Sequence, residues 1–260
     1  MAELDRNALV RIRKKANLAV LEETIEKSGD PERMRVEVEK TTRAYDIGQR
    51  TGLFRVPEVL DYDEHRGVAV FEKLSHLVSI RQGLMFGSRC PSVAKRTARA
   101  LAAVHDLLEL PEEMSVPLPK ELADGGNAVF LHGDFSFNNV FMDTRSDELV
   151  ILDWQMTKLH GGAATYGTRC FDVAWFLNNL FNRYLHHCLF GNSAVEIAQL
   201  FLRAYAEVAR AEFDMAQYQD YVAQFLVITN RRRQQWPISQ RVLSAAFNYF
   251  WKRHLSSLRH

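Results

Sequence analysis

His132, Asp134, Ser136, Asn138 and Asn139 crowd the stretch V-F-L-H-G-D-F-S-F-N-N-V-F from Val129 to Phe141, and a second apolar run, Leu149 to Leu152, ends on Asp153-Trp154. A carboxylate, a carboxamide a few residues beyond it and a second carboxylate closing a strand are the groups that phosphoryl transfer to a hydroxyl requires. Asp134 can orient the attacking alcohol and accept its proton. Asn139 and Asp153 can hold magnesium through hard oxygens, and because magnesium keeps several waters, one amide and one carboxylate suffice. Asp and Asn are ordinary turn formers, so either alone would mean only a turn. Their fixed order is what points to chemistry.

The order H-x-D, then Asn five residues past the Asp, then an apolar strand ending on another Asp, matches a kinase catalytic loop and its metal-binding Asp. His132-Gly133-Asp134 with Asp153-Trp154 further resembles the aminoglycoside phosphotransferase and choline kinase superfamily, where HGDxxxxN and a D-W pair stand for the protein-kinase motifs. The resemblance implies an α+β, protein-kinase-like two-lobe fold. An abbreviated nucleotide-binding lobe would span residues 1–76, and a mainly helical catalytic and substrate-binding lobe residues 77–260. ATP and Mg2+ would be the cofactors, and His132 would support the loop that carries Asp134.

The elements that must position these groups follow from periodicity. Val129 to Leu131 and Val140 to Met142 read as two strands of a hairpin with the polar residues at its tip. Asn7 to Lys15 alternates as a basic strand, with Lys14 in phase with Val10 and Ile12. Kinase folds place on such a strand a Lys that contacts the phosphates and pairs with a Glu of the next helix. Lys14 is the candidate, Arg11 a rival, and a solvated basic edge the third reading. Ala16 to Lys27 has a helical pattern. Asp30 as N-cap and Pro31 at the first position then open a helix that runs to Gly52, on which V-E-V-E-K resembles the family's Glu-bearing helix, with Glu39 the match; a solvated Glu is the alternative. Val68 to Leu74 is a buried strand leading, by the resemblance, to the hinge, where the backbone near Glu72 and Leu74 would receive the adenine edge.

Further on, Ser79 to Gly87 reads as a short helix with loop, and Pro91 to Leu108 as a long one, with His105 structural. Gln155 to Gly167 occupies the place of the segment that kinases keep beside the acceptor. Asp172 in F-D-V-A-W resembles a family Asp beneath the catalytic loop, although a helix N-cap explains it without function. Ala194 to Glu212, Met215 to Val227 and Ile238 to Leu258 are amphipathic. A complete small lobe of this kind would carry two strands and a Gly-rich phosphate loop before the strand assigned to Lys14, yet only Met1 to Arg6 precede it, without a Gly; a shortened member, an internal start at Met1 and a truncated chain are the three readings of that.

With 260 residues, 47% hydrophobic and 25% charged, and a net charge of +1, the chain is a globular protein whose overall charge gives no ground for nucleic-acid or membrane partners. Cys90, Cys170 and Cys188 form no metal pattern and suit reduced thiols, and the N-terminus has no apolar signal core, so a cytoplasmic protein is expected. From Tyr221 onward there is no Asp or Glu but many Arg, including Arg231, Arg232, Arg233 and Arg241. That favours a neutral or anionic small-molecule acceptor over a polycation, with a solvated or partner-binding face as the alternative. Two other functions stand beside the kinase: a degenerate kinase fold acting as a binding or scaffold module, and nucleic-acid binding through the basic tail, which has only composition behind it.

Overall fold

Asp30 and Pro31 start the first helix of the structure as their chemistry requires. In a computed structural model of the chain, residues 18–86, 90–123, 128–160, 162–182, 194–209, 214–235 and 238 are described. The strand expected over Asn7 to Lys15, with Lys14 and Arg11, lies outside them, as do Cys188 and most of the last expected helix. Helix α1 spans Pro31–Thr51; the Asp30 side chain accepts from the Arg33 N–H at 3.1 Å, and Gly52 ends the helix at φ 63°, donating its N–H to the Gly48 carbonyl. Its buried stripe is Met34, Glu37, Lys40, Thr41, Ala44, Ile47 and Gly48, so two charged residues lie on the face that packs inward.

The segment before α1 is not helical. Leu18–Val20 forms β1 and Thr24–Ser28 forms β2, joined by a turn that the Leu21 N–H closes on the Thr24 carbonyl. Val20, Thr24 and Ile25 are β-branched and favour strand, and five residues of β2 pair with Val68–Glu72, β4. Cross-strand bonding therefore overrides a helical spacing too short to sustain itself. Val59–Asp63, β3, completes an antiparallel sheet in the order β1-β2-β4-β3. One face packs on α1 through Met34, Ala69 and Phe71. Lys27 lies opposite Ala69, and Ile25 opposite Phe71, so Lys27 shares the face that looks at α1. Strand β1 thus precedes the one that carries this lysine, and the residues before Leu18, Lys14 among them, lie outside the described ones.

Beyond Glu72 the chain enters a larger, helical region. Leu77–Ser79, β5, pairs with Val140–Asp143, β7, which pairs with Leu149–Ile151, β8. Ala128–Phe130, β6, pairs instead with Tyr166–Thr168, β9. The expected hairpin of 129–131 with 140–142 is therefore absent: its two strands belong to different sheets, and the polar segment crosses between them. Helices α2 (Ile80–Phe86), α3 (Cys90–Leu107), α4 (Lys120–Ala123), α5 (Cys170–Asn182), α6 (Ala194–Val208) and α7 (Met215–Arg232) build the rest. Helix α5 is buried nearly all round, with Phe171, Val173, Phe176, Leu177 and Leu180 at 0% exposure, each such side chain contributing about 1.5–3 kcal/mol by leaving water. Phe176 stacks on Phe201 of α6 at 4.4 Å between ring centres.

Two backbone bonds tie the segment between α1 and β3 to β8: the Arg55 N–H donates to the Leu149 carbonyl at 2.7 Å, and the Ile151 N–H to the Arg55 carbonyl at 3.0 Å. Among the described residues no helix is long and apolar enough to cross a membrane.

Candidate active site

The loop from β6 to β7 owes its shape to alternating residues. Phe135 and Phe137 turn inward onto Phe176 at 5.6 and 5.2 Å, and Phe135 also meets His132 at 5.5 Å. Anchoring these rings leaves Asp134 half-buried and Asn138 exposed. Gly133 holds φ 92°, and a Cβ there would stand 2.9 Å from the Met156 Cα, so both backbone and space demand glycine.

Beneath the loop, Asp172 is fully buried and accepts from the N–H groups of His132 at 2.7 Å and Gly133 at 2.9 Å, and from His105 Nε2 at 3.1 Å. Burial alone would favour its protonated form; the hydrogen bonds from His105, His132 and Gly133 outweigh that and hold the carboxyl below the usual range. Asp172 lies inside the first turn of α5 and is not its N-cap, which corrects the capping reading. His105 is structural, holding Asp172 on one side and the Tyr205 hydroxyl, 2.7 Å away, on the other. His132 is fully buried, tilted on Trp154 at 4.5 Å, and its Nδ1 accepts from the Asp134 N–H at 3.2 Å. Burial pushes its pKa down to about 4, so at neutral pH it is an uncharged support.

Burial likewise pushes the Asp134 carboxyl up to about 7, against the pull of the Trp175 indole N–H, which donates to Oδ1 at 2.5 Å. Asn139 donates its amide N–H to the Asp134 carbonyl at 2.9 Å, which directs the carboxamide nitrogen into the loop. The Leu152 N–H donates to the Asn139 carbonyl at 2.8 Å, bringing Asn139 alongside the residue before Asp153. Asp153 sits at φ 56°, a left-handed conformation costly for a non-glycine residue, with its side chain 46% exposed. The structure therefore brings Asp134, Asn139 and Asp153 together. Asn139 and Asp153 offer a hard amide and a carboxylate oxygen in adjacent segments, a donor set that suits magnesium completed by water and phosphate oxygens.

Beside Asp153 stands a lysine–glutamate pair that the sequence reading does not name. Lys27 of β2 places its Nζ 2.6 Å from Glu37 Oε1 and 2.9 Å from Asp153 Oδ1. Burial works to lower the lysine's pKa, and the two carboxylates outweigh it, holding the ammonium charged. Gln155 adds a bond of 2.5 Å to Glu37 Oε2. Glu39, the expected partner, instead pairs with Arg43 at 2.7 Å along the helix surface, because residues two apart on α1 point to different faces. Lys14 lies outside the described residues; among those described, the lysine–glutamate pair that reaches Asp153 is Lys27–Glu37. Glu37 was legible in the stripe Met34, Glu37, Thr41, Ala44, Gly48; Gln155 carried no signal.

Glu72 ends β4 with its carboxylate on Arg55 and Leu74 follows it into the hinge, where only backbone positions matter for the adenine reading. A cavity of about 370 Å³ behind the cleft, lined by Gly48, Phe54, Arg55, Arg96 and Leu149 among others, contains none of Asp134, Asn139 and Asp153. Of the arginines expected to face an acceptor, Arg232 is engaged with the Leu159 carbonyl at 3.0 Å and Glu121 at 2.7 Å, and Arg233 is buried. Arg241, Lys252, Arg253 and Arg259 lie outside the described residues.

With this geometry in view, comparison with known proteins gives a consistent picture. A family model described as "Phosphotransferase enzyme family" matches residues 107–236, half of the chain and all of the catalytic loop. No curated protein matches the sequence significantly. Among solved structures, a choline/ethanolamine kinase family protein from Mesorhizobium loti aligns over 93% of this chain and 88% of its own, with 15% identity and a TM-score of 0.52. Choline kinase LicA from Streptococcus pneumoniae aligns over 92% and 89%, with 15% identity and a TM-score of 0.53. The APH(2")-IIa protein of a streptomycin-ATP ternary complex aligns over 95% and 99%, with 12% identity and a TM-score of 0.54. At such identities the likeness is one of fold: α+β and protein-kinase-like.

Proposed function

The chain belongs to the phosphotransferase enzyme family, and from that premise we propose that it transfers the γ-phosphoryl group of ATP to a hydroxyl of a small molecule. The observation that carries this reading is the convergence of Asp134, Asn139 and Asp153 on one loop mouth, with Lys27, tied to Glu37, reaching the same Asp153. Asp134 orients the alcohol. The bond formed joins the alcohol oxygen to the γ-phosphorus, the bond broken links that phosphorus to the departing ADP oxygen, and the alcohol proton passes to the Asp134 carboxylate. Magnesium, held by Asn139 and Asp153, would supply charge neutralisation on the phosphates. Lys27 presents a fixed positive charge at the phosphate side, and His132 and Asp172 keep the loop rigid so that Asp134 meets its hydroxyl at a set distance.

We read residues up to 76 as the nucleotide-binding lobe and those from 77 as the catalytic lobe. The acceptor we propose is neutral or anionic, supported by the Arg-rich, acid-free sequence after Tyr221. A cytoplasmic setting is supported by the burial of Cys90 and Cys170, the latter pushed up to about 11 by burial and so kept as an unreactive thiol.

The test is labelled Mg-ATP with a panel of sugars, sugar phosphates, amino alcohols and aminoglycosides, using wild type and Asp134→Asn. Label should move to at least one alcohol with wild type alone. Equal transfer by Asp134→Asn would remove that residue from the role, and no transfer to any alcohol, together with no melting shift by Mg-ATP, would favour the scaffold reading.

A further inference from the structure

A lysine buried to 1% exposure without an ion pair is an expensive thing for a fold to keep, yet α1 keeps one. Lys40 lies one turn beyond Glu37 on the buried stripe, and its Nζ donates to the His132 carbonyl oxygen at 2.7 Å. Among the described residues it forms no other hydrogen bond and no ion pair. Stripping water from an ammonium costs more than one bond to a neutral carbonyl returns, and an apolar side chain of the same length would suit the stripe better. Burial pushes the group down to about 8, with Asp172, Glu37 and Asp153 opposing at longer range. Local rules broken in this way are expected at sites kept for function rather than for stability.

We propose that Lys40 is a positioning residue for the proposed base: by holding the His132 carbonyl, it makes the placement of Asp134 depend on the stance of α1.

The peptide groups around Asp134 are pinned one by one. Asp172 takes the His132 and Gly133 N–H groups, Thr157 donates its N–H to the Gly133 carbonyl at 3.1 Å, and Asn139 takes the Asp134 carbonyl. All of these anchors come from the catalytic region. Lys40 adds, among the described residues, an anchor from α1, the helix that also carries Glu37. A cavity of about 160 Å³ borders Lys40, Trp154, Gln155 and Met156, so packing does not take over if the bond is lost. One helix thereby sets both halves of the site, the phosphate side through Glu37 and the hydroxyl side through Lys40.

The inference rests on the phosphotransferase reading, and its test separates the two. Lys40→Met keeps the length of the side chain and removes the donor and the charge. Its melting temperature is expected within a few degrees of wild type, because losing a buried charge offsets leaving one carbonyl unpaired. Its kcat is expected to fall about 10- to 100-fold, the scale of an ångström-sized misplacement of a reacting group, with KM for ATP nearly unchanged. The indole N–H resonance of Trp175, identified by its loss in Trp175→Phe, should shift in Lys40→Met, since that N–H is bonded to Asp134. Lys40→Gln, a shorter arm with an N–H donor, carries the same comparison should Lys40→Met not yield folded protein. An unmoved Trp175 signal overturns the proposal, as does an unchanged kcat or a loss of kcat explained by a matching loss of folded protein. A wild type without turnover would fail the phosphotransferase reading and leave the Trp175 signal to decide whether Lys40 sets Asp134.

Discussion

Lys27 and Glu37 meet at 2.6 Å across the gap between β2 and α1, and the same lysine reaches Asp153 on the opposite side of the cleft. This three-residue bridge predicts a clean division among charged-to-neutral substitutions. Lys27→Met should raise KM for ATP and lower kcat/KM by about 100-fold or more, and Glu37→Gln by about 10-fold. Lys14→Met and Glu39→Gln should stay within about twofold of wild type, since Glu39 is occupied by Arg43 on the helix surface. Steady-state kinetics on the four variants decides it; a larger defect in Lys14→Met than in Lys27→Met would return the phosphate role to Lys14.

Asp172 carries the loop from below, so its removal should cost stability and activity together. Asp172→Ala leaves the buried N–H groups of His132 and Gly133 without an acceptor. The expected loss is about 3 kcal/mol, or a melting temperature lower by about 6–12 °C. If Asp172 were only a helix cap, the loss would be nearer 1 kcal/mol. Calorimetry of the variant separates the two.

Gly133→Ala tests the loop's backbone in isolation. The added methyl group meets the Met156 Cα at 2.9 Å, and alanine resists φ 92°. Turnover is expected to drop at least tenfold with circular dichroism unchanged, because the added methyl group meets Met156 and none of the apolar side chains of α5. Wild-type turnover would mean that the loop relaxes without moving Asp134.

His160 predicts an acid-linked loss of stability. Its ring lies among Phe171, Trp175 and Phe225, each 5.3 Å away between ring centres, and burial, with Arg232 and Arg233 nearby, pushes its pKa down to about 3. The unfolded chain takes up a proton below about 6.5 and the folded chain only near 3, so the contribution is full above 6.5 and is lost as pH falls toward 3. The slope is about 1.4 kcal/mol per pH unit. His160→Phe should therefore gain on wild type steadily between pH 6 and 4 in urea melts. A constant difference across that range would show that His160 is not the titrating group.

How far the fold and the candidate site are legible in the sequence can be seen at particular residues. Asp134, Asn139 and Asp153 were legible because their spacing is fixed along a single loop and the strand that follows it. The capping pair Asp30-Pro31 and Gly52 bounded α1 because caps are local chemistry. Lys27 was hidden because a short segment with apolar residues at helical spacing takes its conformation from the neighbouring strand β4, a partner more than forty residues away. The pairing of β6 with β9 rather than β7 was hidden for the same reason: adjacent strands favour a hairpin until a third strand offers better bonds. Lys40 could not be read at all, since its meaning lies in a carbonyl brought to it only by folding.

The two backbone bonds that Arg55 makes to β8 hold the C-terminal end of α1 close to the catalytic region, while its N-terminal end is tied to the sheet of β1 to β4 through the Gly29 N–H on the Gly67 carbonyl and Met34 against Ala69 and Phe71. At 1.5 Å per residue, Lys40 stands roughly 16 Å and Glu37 roughly 21 Å along the helix from Thr51. The helix is thus a lever with its fulcrum behind the cleft. A swing of about 5° displaces Glu37 by roughly 2 Å and Lys40 by somewhat less, enough to part both contacts while the fulcrum barely stirs. Arg33 and Arg35, which border the same cavity as Lys40 and Gln155, sit at the long end of that lever, where a small displacement reaches both contacts.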